Sequence, residues 1–97
     1  MKIEMTKRRK QVQPRSGVEK AFGHALLKTR RRHGLSQMDL YKATGLDRTF
    51  ISDLERGIQG PSLKTLLRIA KGIGDDPCLL VQDTLKSPFF EWPTGGS

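Results

Sequence analysis

Residues 36–57 read SQMDLYKATGLDRTFISDLERG, and this stretch decides the fold of the 97-residue chain. It holds two short helical patterns on either side of Gly45, a residue type suited to a tight turn. Ser36, with an acid three residues later, has the form of a capping box; Asp47 can cap the second helix, and Gly57 would end it. We therefore predict two helices joined by a tight turn, an arrangement in which one helix can enter the major groove of DNA.

Three more helical patterns flank this pair. The first begins at Val18 and ends in basic residues before Gly34, which suits a helix C-terminus. Another begins at Ser62, and Asp76 with Pro77 would cap and open a short last helix. The helix after Ser62 carries a wide apolar stripe made of Leu63, Leu66, Leu67, Ile69, Ala70 and Ile73. Helices this short are unstable alone and must share a core, so the sequence predicts a compact, all-α bundle of five helices.

Composition divides the chain into three parts. Residues 1–17 are rich in Lys and Arg and show no sustained apolar period, which predicts a flexible basic N-terminal arm. Residues 18–85 contain the helical patterns and form the predicted domain. Residues 86–97 contain two prolines and three aromatic residues, and they are predicted to form an irregular tail.

The charge favours a polyanionic partner. The formal net charge is +8 and the sequence pI is about 10.2. Lys and Arg are in excess in the arm and the domain, whereas residues 74–97 carry four acids and one lysine. Nucleic acid is the first candidate partner and an anionic membrane surface the second, and the tail is expected to face away from phosphate.

The remaining composition narrows the class of protein. The single cysteine, Cys78, cannot form an internal disulfide, and its apolar neighbours favour a thiol in the core. No stretch approaches the ~18 apolar residues of a membrane span, and the N-terminus lacks the apolar segment of a signal peptide. We expect a soluble cytoplasmic protein associated with the nucleoid.

The sequence offers no pattern of an enzyme. His24 and His33 have no cysteine or acid at the spacing of a metal site or a catalytic triad. There is no glycine-rich phosphate loop and no metal-ligand constellation. We expect no catalytic residue, no metal and no cofactor.

A longer series of residues stands at a fixed spacing: Leu35-Ser36-Gln37, Leu40, Gly45-Leu46-Asp47, Ile51-Ser52-Asp53-Leu54-Glu55-Arg56-Gly57, Pro61-Ser62, Leu66 and Ile69-Ala70. In this series, residues 22 to about 80 resemble the Cro/CI (Xre) family of phage and bacterial repressors. The resemblance implies a lambda-repressor-like DNA-binding domain with residues 47–56 as the recognition helix. It also implies a sequence-specific transcriptional regulator, most simply a repressor, that reads palindromic operator DNA as a homodimer.

The start of the second helix is the first candidate for DNA contact. Gln37 follows the N-cap residue Ser36, where free backbone N–H groups and an amide side chain can meet a phosphate. The resemblance implies a contact at this position. The alternative is that Gln37 is an ordinary exposed helix residue.

The recognition helix offers further candidates. Arg48 could read guanine through O6 and N7, or it could clamp a phosphate. Thr49 could meet a thymine methyl group or a phosphate. Asp53 could accept a hydrogen bond from cytosine N4, but an acid near phosphates is costly, and pairing with Arg56 is the alternative. Phe50 could contact a thymine methyl group or a sugar, or it could cover the edge of the core.

The resemblance implies contacts to the DNA backbone around the end of the recognition helix. Arg56, Lys64 and Thr65 lie at or after this end, and Ser62 caps the next helix and could donate as well. Ser52 is predicted to be structural, in tight packing.

The arm could add phosphate or minor-groove contacts, and the alternative is a solvated terminus without a function. Its candidate residues are Lys7, Arg8, Arg9 and Lys10.

The resemblance also bears on two structural positions. Glu55 resembles the family's acid that pairs with an arginine of the first helix, and Arg30 holds that position, which implies a partly buried structural ion pair. Tyr41 departs from the family, which almost always has alanine there. Tyr41 must swing outward, where its hydroxyl could reach a phosphate, or widen the helix pair.

One recognition helix reads only about four or five base pairs, so a two-fold homodimer on two half-sites is expected. Its surface is predicted in the last helix and the tail, at Leu79, Leu80, Leu85, Phe89, Phe90 and Trp92. Alternatively, Leu79 and Leu80 complete the core and the tail is loose.

A different class of function is an antitoxin or adaptor that binds a protein partner, such as a toxin, through the tail. A controller protein of a restriction–modification system is a narrower form of the regulator hypothesis.

Overall fold

The computed structural model describes residues 17–94, which form five α-helices and no strand. The helices are α1 (Gly17–Arg32), α2 (Gln37–Thr44), α3 (Arg48–Glu55), α4 (Leu63–Ile73) and α5 (Pro77–Lys86). The predicted all-α class with five helices is confirmed. The basic cluster at residues 7–10 lies outside the described residues.

Side-chain caps and a left-handed glycine set the ends of α2 and α3. The Ser36 hydroxyl accepts from the Asp39 N–H at 2.9 Å, and the Asp39 carboxylate accepts from the Ser36 N–H at 2.8 Å, which is the predicted capping box. Gly45 ends α2 with a φ of 76°, a conformation that costs other L-residues about 1–2 kcal/mol. Asp47 accepts a first-turn N–H at 3.0 Å, so α3 begins at the next residue.

One apolar core joins all five helices. α1 packs against α3 and α5, and α2 packs against α4. Because α2 and α3 have only eight residues each, this core and not helix propensity keeps them folded. The core consists of Phe22, Leu26, Leu40, Ile51, Leu54, Ile69, Ala70, Ile73 and Leu80.

Gly23 allows α1 to approach the end of α3 closely. A Cβ atom at this position would lie 2.6 Å from the carbonyl oxygen of Glu55 and closer still to that of Leu54. No other residue type fits without moving one of the two helices. The contact holds the end of α3 against α1 and so fixes which side of α3 faces outward.

Cys78 of the last helix is exposed, so the expectation of a core thiol is wrong. Leu80 is fully buried, which matches the alternative that it completes the core and removes it from the predicted dimer surface. Leu80 and Thr84, one turn apart, are the buried positions of α5. This rotation places Cys78 and Leu85 on the outer side of the helix.

The apolar stripe predicted for α4 is wider than the part that the core covers. Ile69, Ala70 and Ile73 are buried, but Leu63 is 71% exposed and Leu67 is 48% exposed. Leu63 and Leu67 lie one turn apart, so they form an outer apolar ridge.

The tail has no helix or strand in residues 87–94, as predicted, but it docks on α1. The hydroxyl oxygen of Ser87 lies 3.2 Å from Nδ1 of His24. The His24 and Phe89 rings meet edge to face with centroids 5.3 Å apart, and Nζ of Lys20 lies 5.0 Å from the Phe89 ring centroid. His24 therefore has its polar partner in the tail, and the tail is not loose.

Candidate nucleic-acid interface

α3 buries one side and exposes a polar one. Ile51 and Leu54 are fully buried. The polar side, together with Gln37 of α2, borders a shallow hollow of about 330 Å³. The α3 residues that line the hollow are Arg48, Thr49, Ser52, Asp53 and Arg56. A helix of eight residues is about 12 Å long, a size that the DNA major groove admits.

A hydrogen-bonded cluster lies beside this polar side, at the end of α3. Nε and Nη2 of Arg30 donate to the two carboxylate oxygens of Glu55 at 2.6 and 3.1 Å, and Nη1 donates to the Leu35 carbonyl at 2.7 Å. The structure thus brings Arg30 and Glu55 together as the resemblance implies. Gln37 joins them, because its Nε2 donates to Glu55 at 2.9 Å. An amide has two N–H groups, so the second one of Gln37 can still meet a phosphate.

Asp53 has a partner on each carboxylate oxygen. Nη1 of Arg56 lies 3.8 Å from Oδ1, and Nε2 of Gln59 donates to Oδ2 at 3.2 Å. The structure therefore contains the pairing with Arg56 that the sequence suggested. Gln59, in the loop between α3 and α4, is a residue that the sequence analysis missed. It follows Gly57, whose φ of 77° turns the chain back beside α3, and no helical pattern includes it.

Three residues predicted to contact the DNA backbone lie at the start of α4. The Ser62 hydroxyl accepts from the Thr65 N–H at 3.0 Å and donates to the Thr65 hydroxyl at 3.0 Å. Because its proton is given to Thr65, Ser62 acts as a cap, and the Thr65 hydroxyl keeps its own proton for an outside acceptor. Lys64 is exposed beside them.

Phe50 and Tyr41 take different positions. Phe50 is half-buried against the core, which matches the alternative that it covers the core edge. Tyr41 is 43% exposed. Leu40 and Ile51 remain fully buried, so Tyr41 swings outward and leaves the packing of α2 against α3 intact.

The cap of α2 engages most of the polar groups of Ser36. The hydrogen bond from the Ser36 N–H is the main cause that lowers the pKa of Asp39, and the Ser36 hydroxyl and the charge of Lys42 act in the same direction. Asp39 is therefore ionised at neutral pH. The Ser36 hydroxyl lowers this pKa by donating to the Asp39 carboxylate, so its proton already serves the cap.

An apolar groove of about 410 Å³ lies between α1, α4, α5 and the tail. Leu63, Val81 and Trp92 are exposed along it, and the rings of Phe90 and Trp92 meet edge to face at 5.1 Å. Of the residues predicted for a dimer surface, those that line the groove are Leu85, Phe90 and Trp92. Leu79 and Phe89 are exposed outside it.

Residues 17–94 lack two further kinds of feature. No helix in this range combines the length and the apolar character that crossing a bilayer requires. Within the same residues, His, Cys, Asp and Glu side chains form no group of three that could hold a metal ion.

Comparison with known sequences gives two findings. The model of the helix-turn-helix family HTH_3 matches residues 26–75, which is about half of the chain. An HTH-type transcriptional regulator of uncharacterised function, y4dJ of Sinorhizobium fredii, is 32% identical over 72 residues. That alignment covers 74% of this chain and 94% of the relative.

Comparison with solved structures gives restriction–modification controller proteins. C.AhdI from Aeromonas hydrophila is 36% identical with a TM-score of 0.61, over 63% of this chain and 92% of that one. The C.Esp1396I tetramer, in complex with its natural 35 base-pair operator, is 29% identical with a TM-score of 0.68, over 74% of this chain and 95% of that one.

Proposed function

Because the chain belongs to the helix-turn-helix family HTH_3 and is a DNA-binding transcriptional regulator, we propose that it represses transcription from palindromic operator DNA as a homodimer. The observation that carries the proposal is the polar side of α3, which Leu54 and the close approach at Gly23 hold facing outward. HTH_3 is a family of DNA-binding regulators, and the proposal includes no catalytic step.

The first turns of α3 read the bases. Arg48 and Thr49 are exposed at the start of the helix, where major-groove edges are within reach. Arg48 pairs with guanine through O6 and N7, and Thr49 meets a thymine methyl group or a phosphate. Phe50, with its ring half-buried, offers one edge to a thymine methyl group or a sugar.

Residues around α3 bind the phosphates and set the register of the protein on the duplex. Gln37 contacts one phosphate at the start of α2 with the amide N–H that Glu55 leaves available, and the Ser36 hydroxyl turns from the Asp39 carboxylate to the same phosphate. Arg56, 59% exposed, reaches the backbone beyond α3, and Lys64 and Thr65 do so at the start of α4, with Ser62 holding the turn.

The dimer forms through the apolar groove and its rims. Leu63, Val81, Leu85 and Trp92 expose an apolar surface that a second copy would cover. Two copies related by a two-fold axis present two α3 helices to half-sites about ten base pairs apart. The structure of a controller tetramer on a 35 base-pair operator supports self-association on DNA for this chain as well.

The three-part division of the chain follows from the same proposal. Residues 1–17 act as a basic arm that adds phosphate or minor-groove contacts through its cluster at residues 7–10. Residues 18–85 are the DNA-binding domain, and residues 86–97 are a tail that borders the dimer surface. The protein works in the compartment that contains its operator, the bacterial cytoplasm with its nucleoid.

The alternative of an antitoxin or adaptor is not favoured. The family and the relatives named above are transcriptional regulators and controller proteins, and their matches include the DNA-reading segment 36–57. A role as the controller of a restriction–modification system is the narrower form that the structural relatives support.

Selection of bound duplexes from a randomised DNA pool tests the proposal. We expect a palindromic consensus with half-sites about ten base pairs apart. Binding that is equally strong to all duplexes would contradict sequence-specific regulation. A consensus with a single half-site would contradict the homodimer.

A further inference from the structure

We propose that Asp53 determines specificity by accepting a hydrogen bond from a cytosine, and that Gln59 is the positioning residue that holds its carboxylate for this contact. The inference rests on the proposed function and names one base that the interface selects. Asp53 is an acid on a surface whose other charged residues, Arg48, Arg56 and Lys64, are basic. A specific contact with a base would explain an acid at this position.

The geometry fixes the carboxylate. Asp53 lies one turn beyond Thr49 on the polar side of α3, and its side chain is 22% exposed at the hollow. Gln59 holds Oδ2 at 3.2 Å from the loop, and Arg56 stands 3.8 Å from Oδ1. Two restraints from different parts of the chain define the carboxylate plane, and each oxygen keeps a lone pair for an outside donor.

The two partners differ in what they contribute. Arg56 offsets the negative charge, which lowers the cost of an acid near phosphates, and it remains exposed enough to contact the DNA backbone. Gln59 adds no charge. Its amide contributes orientation alone, which is why its removal should affect base preference more than overall affinity.

The chemistry of a carboxylate selects cytosine. An ionised carboxylate only accepts hydrogen bonds, so it is repelled by the O6 and N7 of guanine and by the O4 of thymine. Adenine offers an N6 amino group but places the acceptor N7 beside it. Cytosine offers its N4 amino group without a neighbouring acceptor in the major groove, and it is the base that Asp53 prefers.

Duplex selection from a randomised pool, on the full chain and three variants, tests this inference. The wild type should prefer cytosine about tenfold at one position of each half-site. Asp53→Asn should move that position toward adenine, because an amide can pair with N6 and N7 together, and it should leave other positions unchanged. Gln59→Ala should weaken the preference at the same position only. Gln82→Ala, which removes an exposed glutamine from α5, is the matched control and should change nothing.

Three outcomes would count against the inference. If Asp53→Asn leaves every position unchanged and strengthens binding to all duplexes equally, Asp53 only balances the charge of Arg56, and the inference fails while the proposed function stands. If Gln59→Ala changes no position, the role of Gln59 fails. If the wild type selects no sequence at all, the proposed function fails first. Thermal unfolding of each variant shows that the fold is intact.

Discussion

Arg30 on α1 holds Glu55 at the end of α3 through two hydrogen bonds, from Nε at 2.6 Å and from Nη2 at 3.1 Å. The two side chains are only 10% and 5% exposed, so the pair is shielded from water and from salt. Gln37 of α2 donates to the same carboxylate. One buried ion pair thus connects α1 to α2 and α3, the two helices that line the hollow of the candidate interface.

Removing one partner of this pair should destabilise the fold strongly. Glu55→Ala leaves the Arg30 guanidinium buried without its counter-ion, and we expect the free energy of unfolding to fall by about 3–5 kcal/mol. Urea denaturation measures the change. Arg56→Ala is the control. It removes the exposed partner of Asp53, whose Oδ1 lies 3.8 Å from Nη1 of Arg56, and it should lower the free energy of unfolding by less than about 1 kcal/mol. A loss from Glu55→Ala as small as that of the control would contradict a structural role.

Gly23→Ala should also be destabilising, although alanine normally stabilises a helix by about 0.5–1 kcal/mol relative to glycine. The added Cβ would lie 2.6 Å from the Glu55 carbonyl oxygen, so α1 and α3 must separate. Gly45→Ala is a useful comparison, because open space surrounds it and only its φ of 76° opposes the change, at about 1–2 kcal/mol. Thermal unfolding should rank Gly23→Ala below Gly45→Ala in stability, and the reverse order would contradict the tight contact.

Arg48→Ala should relax the base preference at one position of each half-site. A bidentate contact to guanine contributes about 1–3 kcal/mol of discrimination, whereas a phosphate clamp contributes equally on all sequences. Affinities of the wild type and of Arg48→Ala for duplexes that differ at single positions distinguish these two roles. Lys86→Ala removes a charge from α5 and serves as the control. A uniform loss of affinity for Arg48→Ala would identify Arg48 as a clamp.

A charge in the apolar groove should block self-association. Val81→Asp or Leu85→Asp would bury a carboxylate in the proposed dimer surface, and we expect a monomer in sedimentation at micromolar concentration. Gln82→Asp adds the same charge at a neighbouring exposed position and should leave the dimer intact. Affinity for a full palindrome should fall in the first two variants, while affinity for a single half-site should not. A wild type that stays monomeric even on DNA would refute the dimer.

The capping box of α2 should make stability depend on acid pH. The Ser36 N–H lowers the pKa of Asp39 in the folded state, so its contribution is present above the ordinary carboxyl pKa and is lost as the pH falls through the lowered value. The wild type should therefore exceed Asp39→Asn in stability at neutral pH. This difference should begin to shrink near the ordinary carboxyl pKa of about 4 and vanish only below the lowered pKa. Urea denaturation across the pH range measures it, and a difference that is independent of pH would contradict the assignment.

Helix ends were predictable because their rules are local. Ser36, Asp47, Ser62 and Asp76 each cap the helix that the sequence assigns to them. The rotation of the outer helices was not predictable in the same way. Cys78 and Leu80 are both apolar residues of α5, and only the packing against α1 decides which of them is buried.

Contacts that depend on the path of a loop also could not be predicted from the sequence. Gln59 meets Asp53 because Gly57 turns the chain in a left-handed conformation, and no periodic pattern indicates such a contact. From the sequence alone, Gly23 appears only as an unfavourable residue inside a helix. The close approach of the α3 backbone explains why a glycine is needed there, and α3 is distant in sequence.

The docking of the tail brings two chain segments to one point. At Gly17, where α1 begins, a Cβ atom would lie 2.6 Å from the backbone nitrogen of Glu91. The first residue of α1 therefore lies directly beside the tail at Glu91. Donor and acceptor fluorophores attached on the two sides of this junction would sit within efficient energy-transfer range. A single optical signal could then report whether this junction stays closed when duplex DNA or a second copy arrives.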